Sequence, residues 1–201
     1  MDEQATQVVP VVGIEKLYVA KLLKDSLEGV TFDIPKYLAG IKEISIKPKV
    51  NIDEFYAENK LWASESTLAS VDVEVNLVDF TTDDECYVFG HTKDGKGGII
   101  YKDDDVAPQL AILIKANKKG GGIRYLALYN GQFSISDEDY KGKEGKSNFQ
   151  AKKAKATFAP LKYNGQWKYK IDSEDGMTDQ EFFSKVLGVE GMLADKTTEG
   201  A

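Results

Sequence analysis

His91 is the only histidine in the chain and Cys86 the only cysteine, five residues before it. A histidine beside a thiol can supply a general base and a nucleophile. A lone pair five residues apart is weak evidence for a hydrolase, and the sequence suggests no nucleophile or metal partner for His91. Cys86 falls in a predicted helix, where a buried free thiol is usually inert. His91 follows the end of that helix, where positive charge is mildly favourable. Gly90-His91-Thr92-Lys93-Asp94-Gly95-Lys96-Gly97 has the glycine and lysine spacing of a phosphate-binding loop. The next residue is Gly98, where such a loop needs a hydroxyl for magnesium, and a helix rather than a strand precedes it. The stretch reads as a surface loop. Asp103-Asp104-Asp105 offers the oxygen ligands calcium prefers, without the spaced ligands and closing glutamate of an EF-hand loop. It reads as a solvated turn. The pairs Lys118-Lys119 and Lys152-Lys153 read as solvated charges. No catalytic, cofactor-binding or metal-ligating residue is assigned, and no enzyme is expected.

Composition narrows the function classes. At 201 residues the chain suits one domain with tails, and folding at this size buries roughly 70% of the unfolded chain's surface. The apolar runs fall short of the ~20 residues of a membrane span. The acidic start, MDEQATQVVPVVG, lacks the features of a Sec signal peptide. A lone cysteine allows no internal disulfide and suits a reducing cytosol. The net charge is −7, and Arg124 is the only arginine, which argues against electrostatic binding of nucleic acid.

The elements that would position any site are mostly strands. Val71, Val73, Val75 and Leu77 alternate with Asp72, Glu74 and Asn76. Ile44 and Ile46 alternate with Glu43, Ser45 and Lys47, and Trp167, Tyr169 and Ile171 with Gln166, Lys168 and Lys170. Each is the period-two pattern of a strand with one buried face. Further strands are expected near Ile14–Leu22, Thr31–Leu38 and Phe149–Ala159. The apolar runs Leu110–Lys115 and Ile123–Tyr129 flank a Lys-Lys-Gly-Gly-Gly tip, which predicts a hairpin. Asn164-Gly165 predicts a two-residue hairpin between Ala154–Leu161 and Gln166–Ile171, whereas Gly131 reads as a bulge within one strand.

Two helices stand out. Thr82 is the expected N-cap of Asp83–Phe89, with Gly90 ending it. Thr178 and Glu181 form a capping box before a helix with Phe182, Val186 and Leu187 on one face and Gly188 at its end. The expected fold is mainly β: two packed antiparallel sheets, a flanking helix and a short C-terminal helix. Residues 12–188 form the domain, between flexible arms at 1–11 and 189–201.

Asn51–Ser70 has no sustained strand periodicity and reads as a loop, yet it carries Phe55, Tyr56, Leu61 and Trp62. Four large apolar side chains in a polar loop either mark an association surface or fold back to cap the core. The residues alone leave these two readings level.

Several pieces in order carry a resemblance: VGIEKLYVAKL, LVDF-TTDDECYVFGH, the Ala107–Ser136 stretch with its Gly-rich tip, YNGQWKYKID and EFFSKVLG. Together they cover most of residues 12–188. The chain resembles the major tail proteins that build the tail tube of long, flexible-tailed phages. The resemblance implies a structural protein made in the bacterial host cytoplasm and located in the virion tail. It implies a β-sandwich of which six copies form a ring, with rings stacking through loops and arms. DNA would cross the lumen without specific binding, and the partners would be further copies and other tail proteins: tape measure, terminator and baseplate components. Related phage-tail-like particles share the fold.

The resemblance favours association for Phe55, Tyr56, Leu61 and Trp62. It also makes Asp72 and Glu74, opposite the core-facing valines, candidates for the lumen wall. The alternative is a monomeric sandwich that binds a ligand such as carbohydrate. That would need aromatics on an open sheet face. Tyr125 and Tyr129 share a face with Ile123 and Ala127, and Trp167 with Tyr169 and Ile171, which looks more like core.

Overall fold

A computed structural model describes residues 8–134 and 151–188. Residues 1–7 and 189–201, which hold nearly all of the expected arms, lie outside the described residues, as do Phe149 and Gln150 of one expected strand. The strands are β1 (Val11–Ser26), β2 (Gly29–Phe32), β3 (Lys36–Leu38), β4 (Ile41–Ala57) and β5 (Lys60–Leu77). After helix α1 (Thr82–Phe89) come β6 (Thr92–Lys93), β7 (Ile99–Ile100), β8 (Gln109–Lys118) and β9 (Ile123–Phe133). Then follow β10 (Lys152–Ala159), β11 (Lys168–Asp172) and helix α2 (Asp179–Leu187).

One antiparallel sheet runs β2-β1-β8-β9-β10-β5-β4, with β3 added to β1 and β11 to β9. It curls until β4 lies beside β1, so its two halves form two layers over one core. The protein is mainly β, as the alternating patterns predict. Inside the curl lie Val71, Val73 and Val75 of β5, Leu17 and Val19 of β1, Leu110 and Ile112 of β8, and Phe158 of β10. Val88 and Phe89 of α1 join the same core.

A second core lies on the outer face of β1, β8 and β9. There Tyr18, Leu113, Tyr125 and Ala127 pack under Phe182, Phe183, Val186 and Leu187 of α2. This explains a contrast in pattern. β8 is covered on both faces, so Leu110–Ile114 is uniformly apolar and buried. β5 and β10 are covered on one face, so their burial alternates.

Local chemistry sets the boundaries. The Thr178 side chain accepts from the Glu181 N–H while Glu181 reaches back to the Thr178 N–H, the expected capping box. α1 begins one residue earlier than predicted. Thr81 is its N-cap, its Oγ1 accepting from the Asp84 N–H at 3.2 Å. Thr81 is extended at ψ 157°, the geometry a cap needs, and Thr82 is already helical. The Lys118–Ile123 reversal closes as predicted, with Gly120 and Gly121 both at positive φ.

Gly131 lies within the single long strand β9, and the register slips beside it: Leu110 pairs with Gly131, but Ile112 with Leu128. The Asn164-Gly165 turn exists but is not a hairpin. β10 and β11 never pair; both run antiparallel to β9 along successive parts of its length. Residues 160–167 are a detour between them, closed by the Leu161 N–H on the Gln166 carbonyl at 2.9 Å. The sheet divides here: β10 continues to β5 while β11 stays under α2.

Candidate functional site

The segment Asn51–Ser70 is not a loop. β4 and β5 pair continuously from Ile41↔Leu77 to Ala57↔Lys60, forming one long hairpin whose distal half is Asn51–Ser70. Its turn residues, Glu58 at φ 52° and Asn59 at φ 59°, are both left-handed. Two positive φ values in a two-residue loop are the reversal that matches strand twist. The usual signal for that turn is Asn-Gly, so Glu-Asn concealed it.

From Lys47 to Tyr56 every residue of β4 is exposed. Ten residues of extended chain reach about 30 Å, so the ribbon projects well away from the core. Phe55, Tyr56, Leu61 and Trp62 all lie on it, at 62%, 60%, 53% and 69% exposure. They do not cap the core, which removes that reading.

Register assigns the faces. Ile44 and Ile46 of β4 pack on the inner core. Alternation places Pro48, Val50, Ile52, Glu54 and Tyr56 on the same face. On β5 the pairing slips near Ala69 and again near Trp62, so Leu68 pairs with Val50 and Leu61 with Tyr56. The core face thus continues off the body as an apolar stripe of Val50, Ile52, Tyr56, Leu61 and Leu68, with Trp62 at the slip. The Tyr56 hydroxyl donates to the same-face Glu54 at 2.7 Å, a bond that holds the phenol's proton and raises its pKa. Sequence reasoning missed Val50, Ile52 and Leu68. Phe55 points to the opposite face, paired with Ala63.

Asp72 and Glu74 lie opposite the core, since Val71, Val73 and Val75 fill it. Their cross-strand neighbours are Lys47 and Thr157 for Asp72, and Ser45 and Lys155 for Glu74. Lys49 pairs with Asp72 at 2.6 Å and Lys153 with Glu74 at 3.2 Å. The face is therefore striped lysine, acid, lysine across β4, β5 and β10.

The groups that first suggested chemistry have structural roles. His91 Nδ1 lies 2.7 Å from Asp105 Oδ2, with both side chains almost wholly buried. The Lys102 N–H also donates to Asp105, and these bonds hold its carboxyl below the usual range. Asp103 and Asp104 are exposed in a turn, as expected, but the Asp105 side chain is buried and ties that turn to His91, just past α1, while the Tyr101 hydroxyl donates to Glu85 of α1. Burial, then Glu85 and Asp105, push the Cys86 thiol up, the wrong direction for a nucleophile. The phosphate-loop-like stretch is the β6–β7 ribbon, its turn held by Asp94 accepting from the Lys96 and Gly98 N–H groups.

α2 is clamped by charge. Lys115 donates to Asp179 at 2.8 Å, and the Tyr125 hydroxyl donates to the same carboxylate. Burial and that bond push the Tyr125 hydroxyl far above its usual range. Burial alone would raise Asp179, but these two donors more than offset it and hold it low. Arg124 grips Asp172 through two bonds, at 2.7 and 2.8 Å. With Lys118 it holds that carboxyl far below the ordinary range. Tyr125 and Tyr129 are 3% and 5% exposed, so they form no open platform for a sugar.

Among the described residues, no three His, Cys, Asp or Glu side chains cluster to hold a metal, and no helix is long and apolar enough to cross a membrane. A curled β body thus carries a projecting ribbon with an exposed apolar stripe, a kind of surface that generally marks association. The sequence model of the phage tail tube protein family matches residues 34–191, most of the chain. The chain belongs to that family, and is a structural protein of the virion tail that assembles with itself and other tail components. No curated protein matches it.

Proposed function

We propose that this chain is the major subunit of a phage tail tube, forming hexameric rings that stack around a DNA-conducting bore. The observation that carries the reading is the β4–β5 ribbon, whose core face extends into solvent as an apolar stripe. Such a surface is costly to leave bare, and a neighbouring ring would cover it. Phe55, Tyr56, Leu61 and Trp62 are the contact residues of this reading, with Val50 and Ile52 beside them. Tape measure, terminator and baseplate components would meet the same surfaces at the tube ends.

The reading extends to the bore, whose wall is the face carrying Asp72 and Glu74. Six subunits carry a formal charge of six times −7. Around these two residues, however, the wall is a grid of paired charges rather than bare carboxylates. Ion-paired lysines are poor phosphate ligands, and the summed negative field of the ring opposes adhesion of DNA. Light scattering on the purified chain tests the assembly: species at six times 22.2 kDa and its multiples are expected. A monomer at every concentration would overturn the reading.

A further inference from the structure

Among the described residues, two pairs of like charges lack ion-pair partners, and they are opposite in sign. The first lies on the ribbon face opposite the apolar stripe, where Asp53 of β4 pairs directly with Glu65 of β5. Opposed side chains in an antiparallel pair stand ~5 Å apart at Cβ, and like charges there are destabilising. Among the described residues neither carboxylate has an ion-pair partner. Phe55 lies on the same face, paired with Ala63 and 62% exposed.

The second pair is Lys168 and Lys170 of β11, two residues apart on one face of the strand, both exposed. Their cross-strand neighbours on β9 are Leu128 and Leu126, which offer no counter-charge. Neither lysine has an ion-pair partner among the described residues. Partial desolvation of its ammonium, with Lys170 adding repulsion, pulls Lys168 down, the direction a bound carboxylate would reverse. Lys168 also lies over the Trp167 ring, 5.6 Å from its centre. Among the described strands β11 pairs only with β9, which leaves its far edge free for an incoming chain.

We propose that the second face of the β4–β5 ribbon, through Asp53 and Glu65, docks against Lys168 and Lys170 of β11 in a second copy of this chain. The proposal rests on the tube reading and adds the acceptor for the ribbon's other face. Each site is an unrelieved like-charge pair next to an aromatic ring, so docking would remove two repulsions and form two charge-assisted contacts. Donor and acceptor are different surfaces, so the contact is heterologous and propagates through an assembly instead of closing a dimer.

Charge reversal tests the contact. Asp53→Lys with Glu65→Lys, or Lys168→Glu with Lys170→Glu, keeps a like-charge pair in place, so the melting temperature of the subunit should hold. Either double reversal should raise the concentration needed for assembly about tenfold, and the quadruple variant should return it close to wild type. Normal assembly of either double reversal overturns the proposal, as does a folded quadruple variant no better than its parents. If a reversed variant fails to fold, the neutral Asp53→Asn with Glu65→Gln decides. Wild-type assembly should weaken as salt rises from about 0.1 to about 1 M, where screening shortens from ~10 to ~3 Å, and the neutral variant should respond much less. An equal salt response in the two proteins would overturn the contact. Normal assembly of the charge variants together with failure of Trp62→Ala would reject this contact alone, whereas a wild type that never assembles would reject the tube reading.

Discussion

Trp62→Ala combined with Tyr56→Ala leaves the melting temperature of the isolated subunit unchanged and stops tube growth. Both side chains are exposed on a ribbon that leaves the body, so the folded monomer loses little when they are cut back. At the centre of an interface each large aromatic contributes about 2 kcal/mol or more, and about 1.4 kcal/mol is already a factor of ten in affinity. In the proposed tube, rings would join through several copies of a contact at once, so the loss would compound with every subunit. Thermal melting and electron microscopy of the variant check both halves. A large drop in melting temperature, or tubes of normal length, would refute the assignment.

Gly131→Ala is the substitution expected to harm the fold most for its size. A Cβ at Gly131 would sit 2.3 Å from Cζ of Phe158 and 2.4–2.5 Å from both Cε atoms. Phe158 is fully buried in the inner core, so its ring could shift only by displacing packed neighbours. Gly131 is not at positive φ, so the penalty is steric rather than conformational. Overpacking of a filled core costs about 3 kcal/mol at the upper end of its usual range. For a domain of this size that lowers the melting temperature by roughly 6–12 °C. Gly131→Ala with Phe158→Leu should recover part of the loss, since the two residues share one space. A single variant that melts like wild type would show that the ring can yield.

Most of the fold was legible because its strands obey one rule at a time. Val71–Leu77 is buried on one face and alternates; Leu110–Ile114 is buried on both and is uniformly apolar. Thr178 and Glu181 announced their helix, while at α1 two adjacent threonines disguised which one caps it. Asn164-Gly165 misled because a local turn signal carries no information about which strands later pair, and β9 had taken both partners.

The ribbon was the largest miss. Its stripe is regular on β4, but Glu54 interrupts the apolar series. On β5 two register slips, near Ala69 and Trp62, change which positions face the stripe. Period-two counting fails at every slip, so a paired strand looked like an irregular loop. Its four large apolar residues were still visible by type, because exposure of such groups in a polar segment needs no periodicity to be noticed. That Asp72 and Glu74 face away from the core was legible from the valines between them. Their pairing with Lys49 and Lys153 was not, since it depends on strands distant in sequence.

The central claim is that the β4–β5 ribbon joins rings of this protein into a tube. Electron microscopy of the purified, assembled wild-type chain, carried to side-chain detail, tests it most directly. Stacked rings are predicted, with Tyr56, Leu61 and Trp62 buried between one ring and the next and with Asp72 and Glu74 on the wall of the bore. Dispersed single subunits, or tubes in which Trp62 remains open to solvent, would contradict it.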